Sequence, residues 1–412
     1  MKKNILFSAL LLGALVSCKK KDLNSEPPVL PPVKLEYSKL SIEKHKEALE
    51  DNGINFLAKI NTLPNEKFIA ALTRLAELDL EIMSNSVVGR QIISTSFAAK
   101  NNNVDRVFSA LTSANTGVKS GALNEFYGIY TFDSKLNKWT KTASGDKFEI
   151  NYPATASATE NNAVLTATYT ASKVTASVDG TTYELPAAVN ATLKVDGKEE
   201  LKLASTYEFN TDGTPLKTNI NLALGSFAFK IDISNDLKVL NSSLSISKGT
   251  ETLFSLNVTG NGNTNFNVIK DAERFEEVLK NANTAMQIMN IQIAGQIDIK
   301  AIADAEKANE NLPEKEKYKK KAEAYNANAN VLAFYKKENA IIAKSELVSI
   351  EDSYTYTYYD YEKGKEVTET NFYYSTEPRL VFQDGSKLSM KEFTQSGFKK
   401  LITDFEAYAN RF

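Results

Sequence analysis

The feature that most constrains the fold is an alternation of apolar and polar residues through residues 126–261, interrupted by short turn signals. The alternating runs are rich in β-branched, aromatic and threonine side chains, which favour strands. They include residues 164–169, 191–195 and 227–231. Turn dipeptides occur at Asp179-Gly180, Asp196-Gly197, Asp212-Gly213 and Lys248-Gly249. These connections are too short for parallel crossovers, so residues 116–265 are predicted to form an antiparallel β-meander of eight to eleven strands.

Helical spacing is found on both sides of the predicted meander. Residues 37–115 are predicted to be a helical region, with Asn65 as an N-cap and apolar residues every three or four positions after it. Residues 266–345 are predicted to form a helical hairpin that turns at Pro313. Its apolar stripes are Phe275, Leu279, Ala282, Met286, Met289 and Ile293, then Tyr318, Ala322, Tyr325, Ala329 and Leu332. Packing against each other or the sheet is one interpretation of these stripes, and a partner-binding surface is the other.

The last segment, residues 346–412, is predicted to form a β-hairpin and a C-terminal helix. Strand-forming residues occupy positions 354–361 and 367–374 around a turn at Gly364, and Ser389 is a suitable N-cap for the closing helix. The predicted fold class is therefore α+β: an antiparallel β-meander backed by helices, with an N-terminal helical region and a helical hairpin before the last strands.

The N-terminus has the charge, length and order of a secretory signal. Lys2 and Lys3 precede an apolar run over residues 5–16, which is too short to span a bilayer, and Leu15-Val16-Ser17 leads to Cys18. This ending resembles the lipobox of bacterial lipoproteins. The resemblance implies a signal peptide at residues 1–17, a diacylglycerol on the sulfur of Cys18 and an acyl chain on its amine. Residues 18–36 are then a lipid-anchored, proline-rich tether.

Localisation follows from the same resemblance. Membrane association is expected through the lipidated Cys18. An aspartate at position 19 would favour retention in the inner membrane, so Lys19 favours the outer membrane. Whether the protein lies on the periplasmic or the surface face of that membrane is left undecided. The lysines at 19–21 are either a solvated spacer or a sorting signal. Residues 128–133, 138–141, 185–186 and 193–197 also resemble a group of uncharacterised Bacteroidota outer-membrane lipoproteins, a resemblance that bears on the fold alone.

Composition excludes several functions. The net charge is −2, or about −4 without the two signal lysines, which argues against nucleic acid as a partner. Lipidation of the single cysteine leaves no thiol, and the single histidine, His45, is expected to face solvent, so no cofactor or metal site is predicted. Serine-lysine spacings of the S-x-x-K type occur in three unrelated contexts and are attributed to chance.

The aromatic hairpin is the best binding candidate in the sequence. Alternation places Tyr354, Tyr356 and Tyr358 on one face, and Tyr373 lies near the end of the partner strand. Stacked tyrosines offer apolar area and a hydroxyl for recognising a ligand or protein surface. They also stabilise sheets through cross-strand pairs, so packing with one face covered by a helix is the competing interpretation.

Two hypotheses for function follow. The first is a non-catalytic, lipid-anchored lipoprotein of the cell envelope with a binding or structural role toward an unknown envelope ligand or protein. Its specific form holds an apolar ligand between sheet and helices, and it predicts a cavity of a few hundred Å3 lined by Leu, Phe and Ala. The alternative is a carboxylate-based, glycosidase-like hydrolase, which needs two acids roughly 5–10 Å apart in a cleft with aromatic walls.

Overall fold

The computed structural model describes residues 35–85, 87–112, 118–119, 127–178 and 181–409. The predicted signal, Cys18, nearly all of the predicted tether and the predicted Asp179-Gly180 turn lie outside these residues. The described strands are β1 Glu36–Tyr37, β2 Val118–Lys119, β3 Gly128–Asp133, β4 Lys138–Thr142, β5 Phe148–Tyr152, β6 Ala163–Val178, β7 Thr181–Val195, β8 Lys198–Phe209, β9 Pro215–Leu224, β10 Phe227–Asn235, β11 Val239–Lys248, β12 Glu251–Gly262, β13 Leu279–Ile288, β14 Ile291–Asp298, β15 Ala329–Tyr335, β16 Ala340–Asp360, β17 Lys365–Val381 and β18 Lys387–Ser389.

The described helices lie before the meander, within it and after it. They are α1 Ile42–Ile60, α2 Lys67–Glu77, α3 Glu81–Asn85, α4 Val87–Lys100, α5 Val104–Thr112, α6 Phe266–Asp271, α7 Phe275–Val278, α8 Ile299–Ala308, α9 Glu314–Asn328, α10 Met390–Thr394 and α11 Lys399–Ala409. Among the described residues, none of these helices is both long enough and apolar enough to cross a membrane.

The described strands belong to one sheet, and most of their pairings are antiparallel. From β5 to β18 each strand pairs with the next one along the chain. Two of the described pairings are parallel instead: β3 runs parallel to β5, and β1 runs parallel to the start of β16. The predicted α+β class and the large antiparallel meander are confirmed.

One face of the meander is buried against the N-terminal helices. Along β9, Ile220, Leu222 and Leu224 are buried, while Lys217 and Asn219 in the same strand are exposed. The buried set joins side chains of α2, α4 and α5 in one hydrophobic cluster. Alternation along β9 therefore separates a helix-covered face from a solvated one, as expected for an antiparallel sheet.

The turn chemistry explains the tight connections. Asp196 and Gly197 both have positive φ values, 51° and 76°, as a two-residue turn between β7 and β8 requires. Gly225, between β9 and β10, also has positive φ at 57°. A Cβ there would meet the carboxylate of Glu66, whose side chain can move, so glycine is favoured here mainly by the conformation of the turn.

The prediction of a helical hairpin over residues 266–345 is wrong for its first half. Residues 279–288 and 291–298 form β13 and β14, joined by a turn in which Met289 has a φ of 53°. The misleading residues alternate intervals of four and three, and the interval of four, as between Ala282 and Met286, keeps side chains on one face in a strand as well as in a helix. Helices α8 and α9 lie on either side of Pro313, between β14 and β15, and Ala329 and Leu332 belong to β15.

Two smaller expectations also need correction. His45 does not face solvent: it is 2 % exposed, its Nδ1 lies 2.8 Å from the Tyr335 hydroxyl, and its ring stacks on that tyrosine. The predicted closing helix is divided in two. Ser389 caps α10 in a capping box with Glu392, α10 ends at Thr394, and the positive φ of Gly397 and Phe398 separates it from α11.

Candidate functional site

The last hairpin extends well beyond the packed body. Strands β16 and β17 pair without a break from Lys344 opposite Val381 to Asp360 opposite Lys365. Between residues 351 and 374, all positions except Asp360, Val367 and Tyr374 are exposed. Consecutive residues of a strand point to opposite faces, so the described part of the chain leaves this segment uncovered on both sides. We call residues 351–374 the tyrosine arm; its nine strand steps make it about 30 Å long.

Among the residues that the structure describes, the body contacts the arm at its base alone. Helix α9 packs beside β16, where the Asn326 side chain bonds both backbone groups of Leu347, accepting from its N–H at 2.8 Å and donating to its carbonyl at 2.7 Å. One ion pair, between Lys315 and Glu351 at 2.6 Å, marks the start of the arm. Asn326 thereby satisfies the backbone N–H and carbonyl of Leu347 at the edge of β16, just before the arm begins. These contacts hold the base of the arm against α9.

The residues singled out in the sequence lie together on one face of the arm. Tyr354, Tyr356 and Tyr358 follow one another along β16, with ring centroids 6.0 and 5.8 Å apart. Tyr373 of β17 lies 6.5 Å from Tyr354. We call this the tyrosine face. The register adds Asp352, Glu369 and Asn371 to it.

The tyrosine hydroxyls are organised by carboxylates on the same face. Tyr356 and Tyr358 donate to the two oxygens of Glu369 at 2.8 and 2.9 Å, and Tyr373 donates to Asp352 at 2.6 Å. Asn371 donates through Nδ2 to the Tyr354 hydroxyl at 3.3 Å. Since each bond to a carboxylate crosses from one strand to the other, these rings lean over the hairpin.

These hydrogen bonds displace the titration of both partners. The bonds from Tyr356 and Tyr358 lower the pKa of Glu369, and the bond from Tyr373 lowers the pKa of Asp352. The same bonds raise the pKa of the three tyrosine hydroxyls. At neutral pH the tyrosine face therefore carries two ionised carboxylates between neutral phenol rings.

The opposite face of the arm has different chemistry. Thr355 and Thr370 lie opposite each other with their hydroxyls 3.0 Å apart, and Thr357 and Thr368 repeat this arrangement at 3.0 Å. Tyr359 also points to this side and lies opposite Glu366. We call it the threonine face. It provides an internal control, because the two faces share one backbone and one turn.

Sequence reasoning identified the four tyrosines and missed the acids that hold them. The signal was available in the Lys363-Gly364 turn, where Gly364 has a φ of 63°, because the turn fixes the register of the hairpin. That register places Glu369 opposite Tyr356 and Asp352 opposite Tyr373. The competing interpretation, with one face covered by a helix, does not fit the described residues of the arm.

Apart from the tyrosine arm, a concavity lies on the solvated face of the meander. This polar trough, about 600 Å3 in volume, crosses β8 to β12. Two rows of polar side chains border it: Thr206, Asn219, Asp232, Ser243 and Asn257, then Glu208, Lys217, Ser234, Asn241 and Thr259. Its lining differs from the Leu, Phe and Ala cavity that the apolar-ligand hypothesis predicts.

The carboxylates of the trough are already engaged. Lys217 donates to both oxygens of Glu208 at 2.9 Å, and Asn219 donates to Asp232. Tyr207, the aromatic residue among the lining residues, is buried toward the helices. Over the described ranges, no group of three or more His, Cys, Asp and Glu side chains is arranged to hold a metal ion.

Comparison with family models, with curated proteins and with solved structures finds no match to this chain.

Proposed function

We propose that this chain is a lipid-anchored lipoprotein of the cell envelope that binds a partner protein through the tyrosine face, without catalysis. The observation that carries the proposal is the exposure of an ordered aromatic surface that the body does not use. Tyr354 and Tyr373 keep 55 % and 46 % of their surface exposed, although tyrosine side chains contribute most to stability when buried. Large exposed aromatic area in a folded protein is typical of an interaction site.

The direction of the arm supports a role at a distance from the anchor. Tyr37 pairs with Ile341 in parallel, so the chain coming from the tether enters the sheet at the end opposite the tip of the arm. The nineteen strand steps from Ile341 to Asp360 correspond to about 60 Å. With lipidation at Cys18, the arm would extend away from the tether and toward a partner. In this proposal the α8–α9 pair supports the base of the arm, and the N-terminal helices cover the sheet.

The hydrolase alternative receives less support. A glycosidase needs a carboxylic acid whose pKa is raised, so that it stays protonated until it donates to the leaving group. Among the described residues, every carboxyl group with a displaced pKa is displaced downward, because hydrogen bonds stabilise its ionised form. The tyrosine face, with two such carboxylates, is suited to binding.

Photocrosslinking in living cells tests the proposal. A photoreactive phenylalanine analogue is placed at Tyr356 on the tyrosine face, or at Thr357 on the threonine face as the matched control. We expect a discrete adduct of higher mass from position 356 and little or none from position 357. Equal yields from both positions, or no adduct from either, would contradict a role for the tyrosine face.

A further inference from the structure

The charge of the tyrosine arm restricts what its partner can be. Residues 351–374 carry six acidic and two basic side chains, so the arm concentrates negative charge in an otherwise nearly balanced chain. The two basic residues, Lys363 and Lys365, both lie at the tip, where Lys363 pairs with Asp360. The middle of the arm is therefore acidic and without a compensating cation of its own.

The two carboxylates of the tyrosine face are left available. Within the described residues, neither Asp352 nor Glu369 takes part in a salt bridge, and both accept only hydrogen bonds from the arm itself. The hydroxyl protons of Tyr356, Tyr358 and Tyr373 are already donated to these carboxylates. The face consequently offers mainly acceptors, and a partner must bring donors.

Cationic side chains supply such donors and also suit the rings. A lysine or arginine forms charge-assisted hydrogen bonds with a carboxylate, and it is attracted to the faces of neighbouring aromatic rings. Glu369 lies between two tyrosine rings, and Asp352 lies beside Tyr373. Each carboxylate thus forms a small site that combines an anion with at least one ring.

The separation of these two sites determines the conformation of the partner. Asp352 and Tyr356, whose cross-strand neighbour is Glu369, are four residues apart on one strand, a distance of about 13 Å. An extended partner segment spans this distance with basic residues at positions i and i+4, both on one side. A helix would need about nine residues to cover it. The residue spacing of an extended partner therefore matches the separation of the two carboxylate sites.

A second copy of this chain is a poor occupant. In a symmetric pairing of two arms, the acidic tyrosine faces would repel one another, and the lysines at each tip already pair with or lie opposite Asp360. Charge complementarity favours a different, basic partner.

From these observations we infer that the tyrosine face binds an extended protein segment bearing two basic side chains four residues apart, one at Glu369 and the other at Asp352. This inference rests on the proposed function and names the chemistry of its partner. The residue midway between the two basic positions would lie over Tyr354.

The test measures peptide binding to the full-length, lipidated protein in detergent by fluorescence anisotropy. The probe is a labelled peptide of nine residues, alternating Thr and Val, with lysines at positions 3 and 7. The control peptide has the same composition with lysines at positions 3 and 6, which puts them on opposite sides of an extended chain. We expect the first peptide to bind at least about fivefold more tightly.

Variants locate the binding to one face. Glu369→Gln should weaken the 3/7 peptide about fivefold, whereas Glu366→Gln, which removes the same charge from the threonine face, should leave its affinity unchanged. Tyr356→Phe keeps the ring and removes one hydroxyl, and should retain binding. Circular dichroism of each variant verifies that the hairpin is intact.

The possible outcomes separate the inference from the proposed function. Equal affinity for the two peptides, or equal weakening by the two glutamine variants, would mean nonspecific charge attraction and would overturn the inference. If neither peptide binds while photocrosslinking from position 356 persists, the inference fails and the proposed function stands. Loss of both results rejects the two together.

Discussion

The same substitution at two phenylalanines tests the division between packed body and exposed arm. Phe229 in β10 is fully buried, lies opposite Leu222 and Ile246, and meets Phe108 of α5 edge to face with centroids 5.6 Å apart. Phe372 in β17 is 57 % exposed and lies opposite Ser353. Both are strand residues of the same type, so replacing each with alanine changes propensity and chain entropy alike.

The expected magnitudes differ by a wide margin. Phe229→Ala removes a side chain with no exposed surface and leaves a cavity between the helices and the sheet, so the free energy of unfolding should fall by about 4 kcal/mol. Part of this loss is the aromatic pair with Phe108, which is worth roughly 1 kcal/mol. Phe372→Ala removes a side chain in contact mainly with water and should change the free energy by less than about 0.5 kcal/mol.

Urea unfolding followed by the fluorescence of Trp139 provides the assay. This is the only tryptophan, it is half-buried beside Phe132, and its Nε1 donates to the Leu78 carbonyl at 2.9 Å, so it reports on the junction of helices and sheet. The comparison requires equal m-values and agreement with far-UV circular dichroism. A cost for Phe372→Ala close to that of Phe229→Ala would refute the reasoning, because the arm would then be packed.

Three further predictions concern the body and its anchor. Asn52→Ala removes hydrogen bonds to the Ile288 carbonyl and the Asn290 N–H, at 2.8 and 3.0 Å; unfolding in urea should show a loss of about 2 kcal/mol. Burial lowers the pKa of His45, so the folded state binds a proton less readily than the unfolded state, and stability should be constant above about pH 6.5 and decline as the pH falls below it. His45→Gln should remove this decline between about pH 6.5 and 5, because no other histidine is present. Cys18→Ser should leave the leader uncut and the chain without acyl groups, as intact mass would reveal, whereas a variant in the membrane pellet with its leader removed would contradict the lipid anchor.

The parts of the fold that sequence predicts well are those set by local chemistry. Neighbouring antiparallel strands are joined at three of the predicted turns, Asp196-Gly197, Asp212-Gly213 and Lys248-Gly249. The glycine of each turn has a positive φ. Only glycine, asparagine and aspartate adopt that backbone readily, so the sequence specifies these turns without tertiary information.

The parts that sequence misses depend on tertiary context. Ala282 and Met286 satisfy helical and strand spacing equally, and the pairing of β13 with β12 on one side and β14 on the other decides for strand. His45 looks like a surface residue among lysines and glutamates, and it is buried by the approach of rings far along the chain, those of Tyr335 and Phe382. Local periodicity contains no information about which strands will pair with β13 or which rings will pack on His45.

The candidate site divides in the same way. Alternation identifies the tyrosine face, because it depends only on strand period. The exposure of both faces could not be predicted from sequence, since it depends on where the body ends: α9 contacts β16 from Leu347 to Glu351, at the base of the arm. The roles of Glu369 and Asp352 required the exact register of the two strands.

Thermal unfolding of a chain with a shortened arm tests the central claim most directly. Residues 352–373 are deleted, and Glu351 is joined to Tyr374, its cross-strand neighbour, through an Asn-Gly turn. If the arm serves binding and the body folds without it, the unfolding transition stays cooperative with a midpoint within about 4 °C of the intact protein. A midpoint lowered by more than about 10 °C, or loss of the cooperative transition, would contradict the account.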